Sequence, residues 1–466
     1  MPSISRVPET PPAAQPKQQL GLFDAACIIV GIIIGSGIYR TTPLIAANVG
    51  SAEQLIAVWL LGGFIALLGA MCYAELTTTY PKEGGDYVYL TRAFGRQTGF
   101  LFAWAEYWIV RPGNVGMMAF VFATFAYGLL PMAASSPADG VTAATVWQVA
   151  LAAGSVAVLT LINVFGVQTG KTTQNVLATL KVVGLFAIVV VGLFLSPAAA
   201  TTPPGTGQGG NFRFALILVL FTYGGWNEIS YVAAEVRRPE RNLFWALLLG
   251  LAAVTFLYVC VNLAFVRSLG LAGTASSSQV ASDVFRLSYG EWGAKAMNVL
   301  VCVSALGAIN GMLFTGARIY YAVGSDHHSV AWLGKWSGRL DSPVRALVLQ
   351  GVISVLLIAG FGWYQDGFER LTLFTTPVYW LFAMMVGISL MILRWRDRDQ
   401  RRPHKVWFYP WTPLFFCVTC AVLCESSLMY AVSQQRWEAL WAICLMLVGV
   451  FVSMLFDSHR DLPEEK

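Results

Sequence analysis

Two short stretches of the chain, GIIIGSGIY at residues 31–39 and FTYGGWNE at residues 221–228, decide how it folds. Each lies within a long apolar run and interrupts that run with glycines. Within hydrocarbon, a break in a helix is tolerated only where protein, water or a ligand satisfies the freed backbone groups. Paired breaks at corresponding places in two halves of a chain therefore predict a binding site near the middle of a membrane.

The composition around these stretches is that of a membrane protein. Of the 466 residues, 56% are hydrophobic and only 12% are charged, whereas soluble domains carry about 25% charged residues. The net charge of +5 is spread over many short loops, without the basic face that nucleic-acid binding needs. The sequence therefore predicts an integral protein of the lipid bilayer with no nucleic-acid partner.

Twelve apolar runs are long enough to cross a bilayer, which takes roughly 20 residues. The segment 1–19 that precedes them is polar and rich in proline, which predicts a disordered cytoplasmic tail rather than a signal peptide. The predicted spans 1 to 12 lie near residues 20–45, 55–78, 99–130, 146–166, 174–196, 213–236, 243–266, 293–323, 345–363, 371–393, 410–432 and 437–456.

The positive charges predict the orientation of these spans. An even number of spans places both termini on one side of the membrane. If that side is the cytoplasm, the inner segments hold twenty Lys and Arg residues and the outer loops only six. Because positive charge is enriched in cytoplasmic loops, we expect both termini in the cytoplasm.

Spans 1–5 and spans 6–10 have opposite membrane orientations, as the halves of an inverted repeat do. The segment 197–212, rich in proline, glycine and threonine, separates them as an outer linker. Repeat 1 is predicted at 20–196 and repeat 2 at 213–393, followed by spans 11 and 12 and a cytoplasmic tail at 394–466. The predicted fold is an all-α bundle of twelve membrane helices, a five-plus-five inverted repeat with helices 1 and 6 broken.

The breaks also indicate the chemistry of a ligand. A helix that begins at a break presents free N–H groups, and one that ends there presents free C=O groups. One small zwitterion satisfies both, and glycines let it approach the backbone. The alternative is that these glycines only permit close helix packing. The predicted binding residues are the N–H donors Ser36, Gly37 and Ile38, the carbonyls of Ile33, Ile34, Phe221 and Thr222, and the glycines Gly35, Gly224 and Gly225.

Lys181 is an ionisable residue in the middle of span 5. Such a residue is costly in a membrane unless it is paired or hydrated, and it is usually functional. A fixed cation there would tether span 1 to span 8 and make a bound sodium ion unnecessary. The alternative is a lysine that snorkels to the inner surface, because Lys181 lies only about 15 Å of helix beyond Lys171.

Five of the other charged residues in or beside the spans allow specific expectations. Glu106 and Arg111 are five residues apart, which is not the i,i+4 spacing that favours a pair on one helix face, so we expect packing and interhelical pairing. Glu75 ends span 2 and is expected to help close the inner side with basic residues of the inner loops. Arg40 and Glu228 stand next to the breaks, and three alternatives stay open for them: a pair across the site, contact with the substrate, or exposure to water in an outer vestibule.

Other chemistries find little support in the sequence. The eight cysteines all lie in apolar runs, where cysteine behaves as a small hydrophobe, and Cys417 and Cys420 lack a second pair to complete a metal site. The segment GVQTGKT at 166–172 lacks the glycine spacing of a phosphate-binding loop. No catalytic set lies at membrane depth. We therefore expect no metal, no cofactor and no enzymatic activity.

Several segments resemble the amino acid–polyamine–organocation superfamily and are most similar to its L-type amino acid transporter branch and the bacterial relatives of that branch. The segments are GIIIGSGIY, GAMCYAELTTTYPKEGGDYVYL, WAEYWIVRP, LFTYGGWNE with PERNL following, and GAINGMLFTGARIYY. The resemblance runs from about residue 20 to about residue 405. It implies the twelve-helix fold described above and sodium-independent exchange of amino acids across the plasma membrane.

The resemblance also implies roles for single residues. The stretch 35–37 would bind the substrate carboxylate, Phe221 would be an aromatic gate above the substrate, and Asn227 would be a polar residue below the second break. Lys181 occupies the place where sodium-coupled relatives bind an ion. Because Asn227 is uncharged, we expect neutral amino acids. An uptake permease for amino acids or polyamines, coupled to protons or sodium, is the alternative.

One departure from the family concerns a partner. Animal L-type transporters bind a glycoprotein heavy chain through a cysteine in the outer loop between spans 3 and 4. Here that loop reads PMAASSPADGVTAAT at residues 131–145 and contains no cysteine. We therefore expect no disulfide-linked heavy chain.

Overall fold

The fold is described from a computed structural model over residues 16–35, 37–130, 141–199, 211–277, 279–364, 367–433 and 435–457. Helices account for most of these residues, and this part of the chain contains two isolated β-bridges but no strand. The predicted all-α fold is therefore confirmed. The α-helices, numbered in chain order, are α1 (Leu22–Ile33), α2 (Gly37–Ala47), α3 (Ala52–Thr79), α4 (Asp86–Phe94), α5 (Arg96–Ala105), α6 (Arg111–Gly128), α7 (Val141–Val164), α8 (Val167–Val190), α9 (Phe212–Thr222), α10 (Pro239–Ser276), α11 (Val280–Asp326), α12 (Val344–Phe361), α13 (Gly367–Arg396), α14 (Trp411–Ser433) and α15 (Glu438–Asp457).

The chain is a multi-pass membrane protein. Among the described residues, nine helices are long and apolar enough to cross a membrane, and α1 with α2 makes a tenth if that bent pair is one span. Each predicted span overlaps one helix or a run of consecutive helical elements, which for span 3 is α5, the π-helical turn Glu106–Val110 and α6. α15 and the pair formed by α9 and the 3₁₀ segment after it are not among these ten. The total of twelve spans and the repeat boundaries stay predictions.

Both predicted breaks are present. α1 ends at Ile33, and Ile34 leaves the helical region with a ψ of 72°, so that α2 continues at an angle of 46° to α1. α9 ends at Thr222, and Gly225 then turns the chain with a φ of 107° into a 3₁₀ segment, Trp226–Glu235. Glycine suits that turn because residues with a Cβ disfavour positive φ. Spans 1 and 6 are therefore broken helices, as predicted.

α11 is the centre of the bundle. It packs against α1, α6, α8 and α12, and 78% of its most apolar stretch is buried. α14 lies at the edge, where it packs mainly on α13, and α15 packs on α13 and α5. Because α1 and the 3₁₀ segment both contact α11, the two breaks lie beside the best-packed helix of the protein.

One end of the bundle is closed by the residues that precede α1; we call this end the N-terminal face. The N–H groups of Gln19 and Leu20 both donate to the Glu235 carbonyl at 2.9 Å. The Glu235 carboxylate accepts a hydrogen bond from the Arg318 guanidinium at 2.6 Å, and both side chains are buried. A buried ion pair thus lies where the end of the 3₁₀ segment meets α11.

Glu75 lies at a second part of the N-terminal face. Its carboxylate accepts hydrogen bonds from Arg394 Nε and from the Val406 N–H, both at 2.7 Å, and Arg402 Nε lies 3.3 Å away. The Glu75 side chain is buried. The structure thus places it against basic residues of the segment after span 10, while its part in closing the inner side stays a prediction.

Removal of the Glu235 carboxylate would leave the Arg318 guanidinium buried without a counter-charge. Loss of one partner of a buried ion pair costs about 3–5 kcal/mol, so Glu235→Ala is expected to lower the thermal stability strongly. The measurement is the temperature at which half of the purified protein aggregates in detergent.

Glu291→Ala is the matched control for this variant. Glu291 pairs with Arg286 at the surface, where the two side chains are 74% and 45% exposed, and surface pairs contribute about 0–1 kcal/mol. The control is expected to aggregate at the wild-type temperature. Equal aggregation temperatures for the two variants would contradict the assignment of stability to the buried pair.

Candidate functional site

A small cavity lies between the two breaks. Its volume is about 130 Å³, below the roughly 300–1,000 Å³ of sites for drug-sized ligands. A larger cavity of about 530 Å³ lies between the end of α3 and the start of α10 and contains neither break; the smaller one is the better candidate because unpaired backbone groups are concentrated at helix breaks. The residues that line it are Ile32, Ile33, Gly35, Gly37, Asn114, Met117, Met118, Phe221, Thr222, Gly224, Gly225, Asn227, Glu228, Ala308, Met312, Thr375, Thr376, Tyr379 and Trp380.

Most of the predicted binding residues lie on this cavity. Ile34 and Ile38 do not, because both are fully buried in the packing around the first break. Ser36 lies outside the described residues. The predicted residues on the cavity are Ile33, Gly35, Gly37, Phe221, Thr222, Gly224, Gly225 and Asn227, with Glu228 beside them.

The two breaks are packed directly against each other. The hydroxyls of Thr222 and Thr41 are hydrogen-bonded at 2.8 Å. A Cβ at Gly37 would lie 2.6 Å from Thr222 Cγ2, and a Cβ at Gly225 would lie 2.8 Å from Ile32 Cγ2. Only glycine allows the two backbones to approach this closely. These two glycines therefore serve helix packing and line the cavity as well.

The carbonyls at the end of α1 already have donors within the protein. The Tyr258 hydroxyl donates to the Ile33 carbonyl at 3.0 Å, and the Ser304 hydroxyl donates to the Ile34 carbonyl at 3.1 Å. The sequence prediction took these two carbonyls as free to bind an ammonium group. The structure corrects this, because side chains of α10 and α11, distant in sequence, pack onto the break and donate to them.

Lys181 lies against the same break. Its side chain is 0% exposed, and its ammonium donates to the carbonyls of Gly31 and, at 2.8 Å, of Ile34. Its stem crosses Gly307 of α11, where a Cβ would lie 2.6 Å from Lys181 Cε. A lysine buried in this way does not reach the membrane surface, which excludes the snorkelling alternative. It joins α8 to the end of α1, beside α11.

Glu106 and Arg111 are paired, with 3.1 Å between Arg111 Nε and Glu106 Oε2. The spacing argument against a pair on one helix face assumed an α-helix. The segment Glu106–Val110 is instead a π-helix, in which the Arg111 N–H bonds to the Glu106 carbonyl. Residues five apart therefore lie on one face, and the argument against a pair within this helix was wrong for this reason. The expected interhelical pairing is present as well, because Arg111 also pairs with Glu228 of the 3₁₀ segment. π-Turns inside α-helices are frequent at functional sites.

Glu228 and Arg40 do not pair with each other. Arg111 Nη1 lies 2.7 Å from Glu228 Oε2, and the Thr315 hydroxyl donates to the same oxygen at 2.5 Å. Glu228 and Arg111 are both buried, so the carboxylate beside the cavity is compensated. Arg40 is exposed, and its guanidinium lies 4.3 Å from the centre of the Phe368 ring. Of the three alternatives, the pair across the site is excluded.

The sequence reasoning missed the polar residues that α6 and α13 bring to the cavity. They are Asn114 from α6 and Thr375, Thr376 and Tyr379 from α13. The Tyr379 hydroxyl donates to Asn227 Oδ1 at 3.1 Å, so it orients a residue that was predicted. One sequence feature could have identified α13 as part of the site. Its polar residues lie beside Pro377, a proline inside an apolar span.

A cavity between two broken helices in a multi-pass bundle is the arrangement of a membrane transporter. The amino acid permease family matches residues 20–451. The chain is 30% identical to b(0,+)-type amino acid transporter 1 of Mus musculus, over 95% of this chain and 89% of that protein. It is also 30% identical to large neutral amino acids transporter small subunit 2 of Homo sapiens, over 96% of this chain and 82% of that protein. The chain belongs to the amino acid permease family.

This membership confirms the resemblance to the amino acid–polyamine–organocation superfamily. Proteins of the family are membrane transporters rather than enzymes, and their substrates are amino acids. Among the described residues, no three His, Cys, Asp or Glu side chains lie together as a group that could hold a metal ion.

Gly37→Ala is expected to reduce amino acid transport about 10- to 100-fold, because the new methyl group meets Thr222 Cγ2. Overpacking of this kind costs about 1–3 kcal/mol, and here the cost falls on the contact between the two breaks. The measurement is the initial rate of labelled amino acid uptake into proteoliposomes, at equal amounts of reconstituted protein.

The double variant Gly37→Ala/Thr222→Ser is the rescue test. Serine lacks the methyl group that clashes but keeps the hydroxyl that bonds to Thr41. The double variant is expected to recover most of the lost rate. A double variant no faster than Gly37→Ala would show that the contact between the breaks is not the cause.

Proposed function

We propose that this chain exchanges neutral amino acids across the plasma membrane by alternating access and without sodium. The observation that carries the proposal is the buried Lys181, whose ammonium holds the broken end of α1. In its ammonium form, Lys181 would supply the positive charge at this place that a bound sodium ion would otherwise supply. It also repels a second cation, because like charges at short range in a poorly hydrated site are strongly unfavourable.

The cavity suits the backbone of an amino acid. The N-terminus of α2 would bind the carboxylate through the N–H group of Gly37, which lines the cavity, with Ser36 added by the family resemblance. The carbonyls of Ile33 and Ile34 have donors of their own, and the Phe221 carbonyl accepts from the Gly224 N–H at 3.1 Å. Of the predicted carbonyls, the ammonium would therefore bind at that of Thr222, at the end of α9. The opposite ends of two helix dipoles would then face the two charges of one zwitterion.

The charges around the cavity favour a neutral substrate side chain. Asn227 is uncharged, and the Glu228 carboxylate is compensated by Arg111. A charged side chain would therefore find no free counter-charge among these residues and would lose its hydration, which is costly. The two named relatives support amino acids as the substrate, since one is described as a b(0,+)-type amino acid transporter and the other as a transporter of large neutral amino acids.

Alternating access requires the N-terminal face to open. The buried pairs of Glu235 with Arg318 and of Glu75 with Arg394 would separate in that step, while Phe221 would close over the substrate on the opposite side. With both termini in the cytoplasm, as the charge distribution predicts, the N-terminal face is the inner side. We also infer that the transporter works without a disulfide-linked heavy chain; of the loop that carries this inference, residues 131–140 lie outside the described residues.

The experiment is uptake of a panel of labelled amino acids into proteoliposomes. Neutral amino acids are expected to enter only when an unlabelled neutral amino acid is inside, at the same rate with sodium or with choline outside. Arginine and glutamate are expected to enter at least about tenfold more slowly. Uptake into empty vesicles that rises with a sodium or proton gradient would reject exchange, and would favour an uptake permease instead.

Lys181→Met is expected to lower the exchange rate at least about tenfold. Methionine approximates the apolar stem but lacks the ammonium, which leaves the Gly31 carbonyl without this donor at a cost of about 1–3 kcal/mol, while the Ile34 carbonyl keeps the Ser304 hydroxyl. Lys171→Met is the control, because Lys171 lies on the same helix but pairs with Asp24 at the N-terminal face. If Lys181→Met exchanges amino acids at the wild-type rate and its ion dependence is unchanged, the proposal of sodium-independent exchange loses this support.

A further inference from the structure

Between the cavity and the N-terminal face, buried carboxylates outnumber the buried cations that pair with them. Glu106 and Glu228 share one guanidinium, that of Arg111. A third carboxylate, Asp86, begins α4 and is only 3% exposed. Among the described residues Asp86 has no ion-pair partner. Burying a carboxylate without a counter-charge is costly, and such a group binds a proton instead.

Both hydrogen bonds to the Asp86 side chain go to the same carboxylate oxygen. The hydroxyls of Tyr73 and Tyr231 both donate to Asp86 Oδ2, at 3.0 and 2.9 Å. Asp86 Oδ1 is buried and has no hydrogen-bond partner in the described part of the chain. An ionised carboxylate accepts hydrogen bonds at both oxygens, whereas a protonated one keeps its acceptor capacity mainly at the carbonyl oxygen. If Asp86 is ionised, Oδ1 carries negative charge without a donor from the described residues, and a proton at this oxygen removes that charge.

The groups that face Asp86 support the same protonation state. Burial raises the pKa of Asp86 to about 8, the tyrosine hydrogen bonds lower it, and the two glutamates raise it. Asp86 is the first residue of α4, which has nine residues and does not span the membrane. The titratable and charged groups that surround Asp86 are Tyr73 of α3, Tyr89 of α4, Glu106, Arg111 of α6, Glu228 and Tyr231 of the 3₁₀ segment, and Tyr379 of α13.

Asp86 is connected to the cavity and to the closed face. Tyr379 donates to Asn227, Asn227 donates to the Tyr231 hydroxyl at 3.2 Å, and Tyr231 donates to Asp86. Tyr379 and Asn227 line the cavity. In the other direction, the Gly84 N–H donates to the Tyr231 carbonyl at 3.2 Å. Opening of the N-terminal face would separate these elements and admit water to Asp86.

We propose that Asp86 is a proton-binding site, which takes up a proton when the N-terminal face closes and releases it to water when that face opens. The inference rests on the proposed alternating access but not on the identity of the amino acid. No covalent bond other than the carboxylic O–H forms or breaks, and the proton comes from and returns to the solvent on that side.

The direction of the pH effect follows from the two states. In the closed state the pKa of Asp86 is raised, and in the open, hydrated state it approaches the ordinary value of about 3.9. The closed state therefore binds more protons, and acid stabilises it. Between the two pKa values, each unit of falling pH shifts the ratio of closed to open protein about tenfold toward the closed state.

The test is amino acid exchange in proteoliposomes with equal pH inside and outside, from pH 6 to pH 9. Wild-type exchange is expected to slow as the pH falls below about 8, by up to about tenfold per unit. Asp86→Asn, which mimics the protonated acid and still accepts from both tyrosines, is expected to be slow and independent of pH. A pH-independent wild type, or an Asp86→Asn variant with the wild-type pH profile, overturns the proposal.

Tyr73→Phe tests the site without altering the carboxylate. Loss of a hydrogen bond to the ionised form is expected to move the midpoint of the pH profile up by about one unit, whereas a purely structural role for Asp86 predicts no movement. An unchanged midpoint overturns the proposal even if Asp86→Asn does not fold. If no amino acid is exchanged at any pH, the proposed function fails; if exchange is present but does not depend on these residues in this way, only the proton site fails.

Discussion

The rest of the structure depends on one constraint: a helix that breaks among apolar side chains must find partners for the backbone groups it frees. At the end of α1 these partners are Lys181, Tyr258 and Ser304. Each comes from a different helix, so the break is stable only where α8, α10 and α11 meet. The break in span 1 is therefore a property of the whole bundle, although its position follows from a few local glycines.

Buried charge imposes a second constraint, because an ion removed from water needs a counter-charge or several oriented dipoles. The Glu235–Arg318 pair meets it with a counter-charge, and Lys181 meets it with backbone carbonyls. The pairs at the N-terminal face join segments that are far apart in sequence. They cannot be lost one at a time without leaving a buried charge unpaired, which favours two discrete states over a continuous range of openings.

The all-α fold and both breaks could be predicted from the sequence because they follow from hydropathy and from glycines in apolar runs, which are local properties. The partners of the polar residues could not. The pairing of Glu106 with Arg111 depends on a π-turn, and the donors to the Ile33 and Ile34 carbonyls lie 147, 225 and 270 residues away in sequence. Contacts of this kind are set by tertiary packing, and the periodicity of apolar residues within one helix cannot predict them.

The contact between the two breaks links the two halves of the chain more closely than a shared cavity alone would. Gly37 lies against Thr222 and Gly225 lies against Ile32, each without space for a methyl group. A close-packed contact transmits a displacement instead of absorbing it. A ligand that touches both breaks therefore cannot move one half-helix without moving the other. For transport, the ligand must also have a different affinity for the two arrangements, since only a difference in affinity can shift their equilibrium. The glycines that would admit the proposed ligand to the backbone are thus the same residues that would couple its binding to both halves.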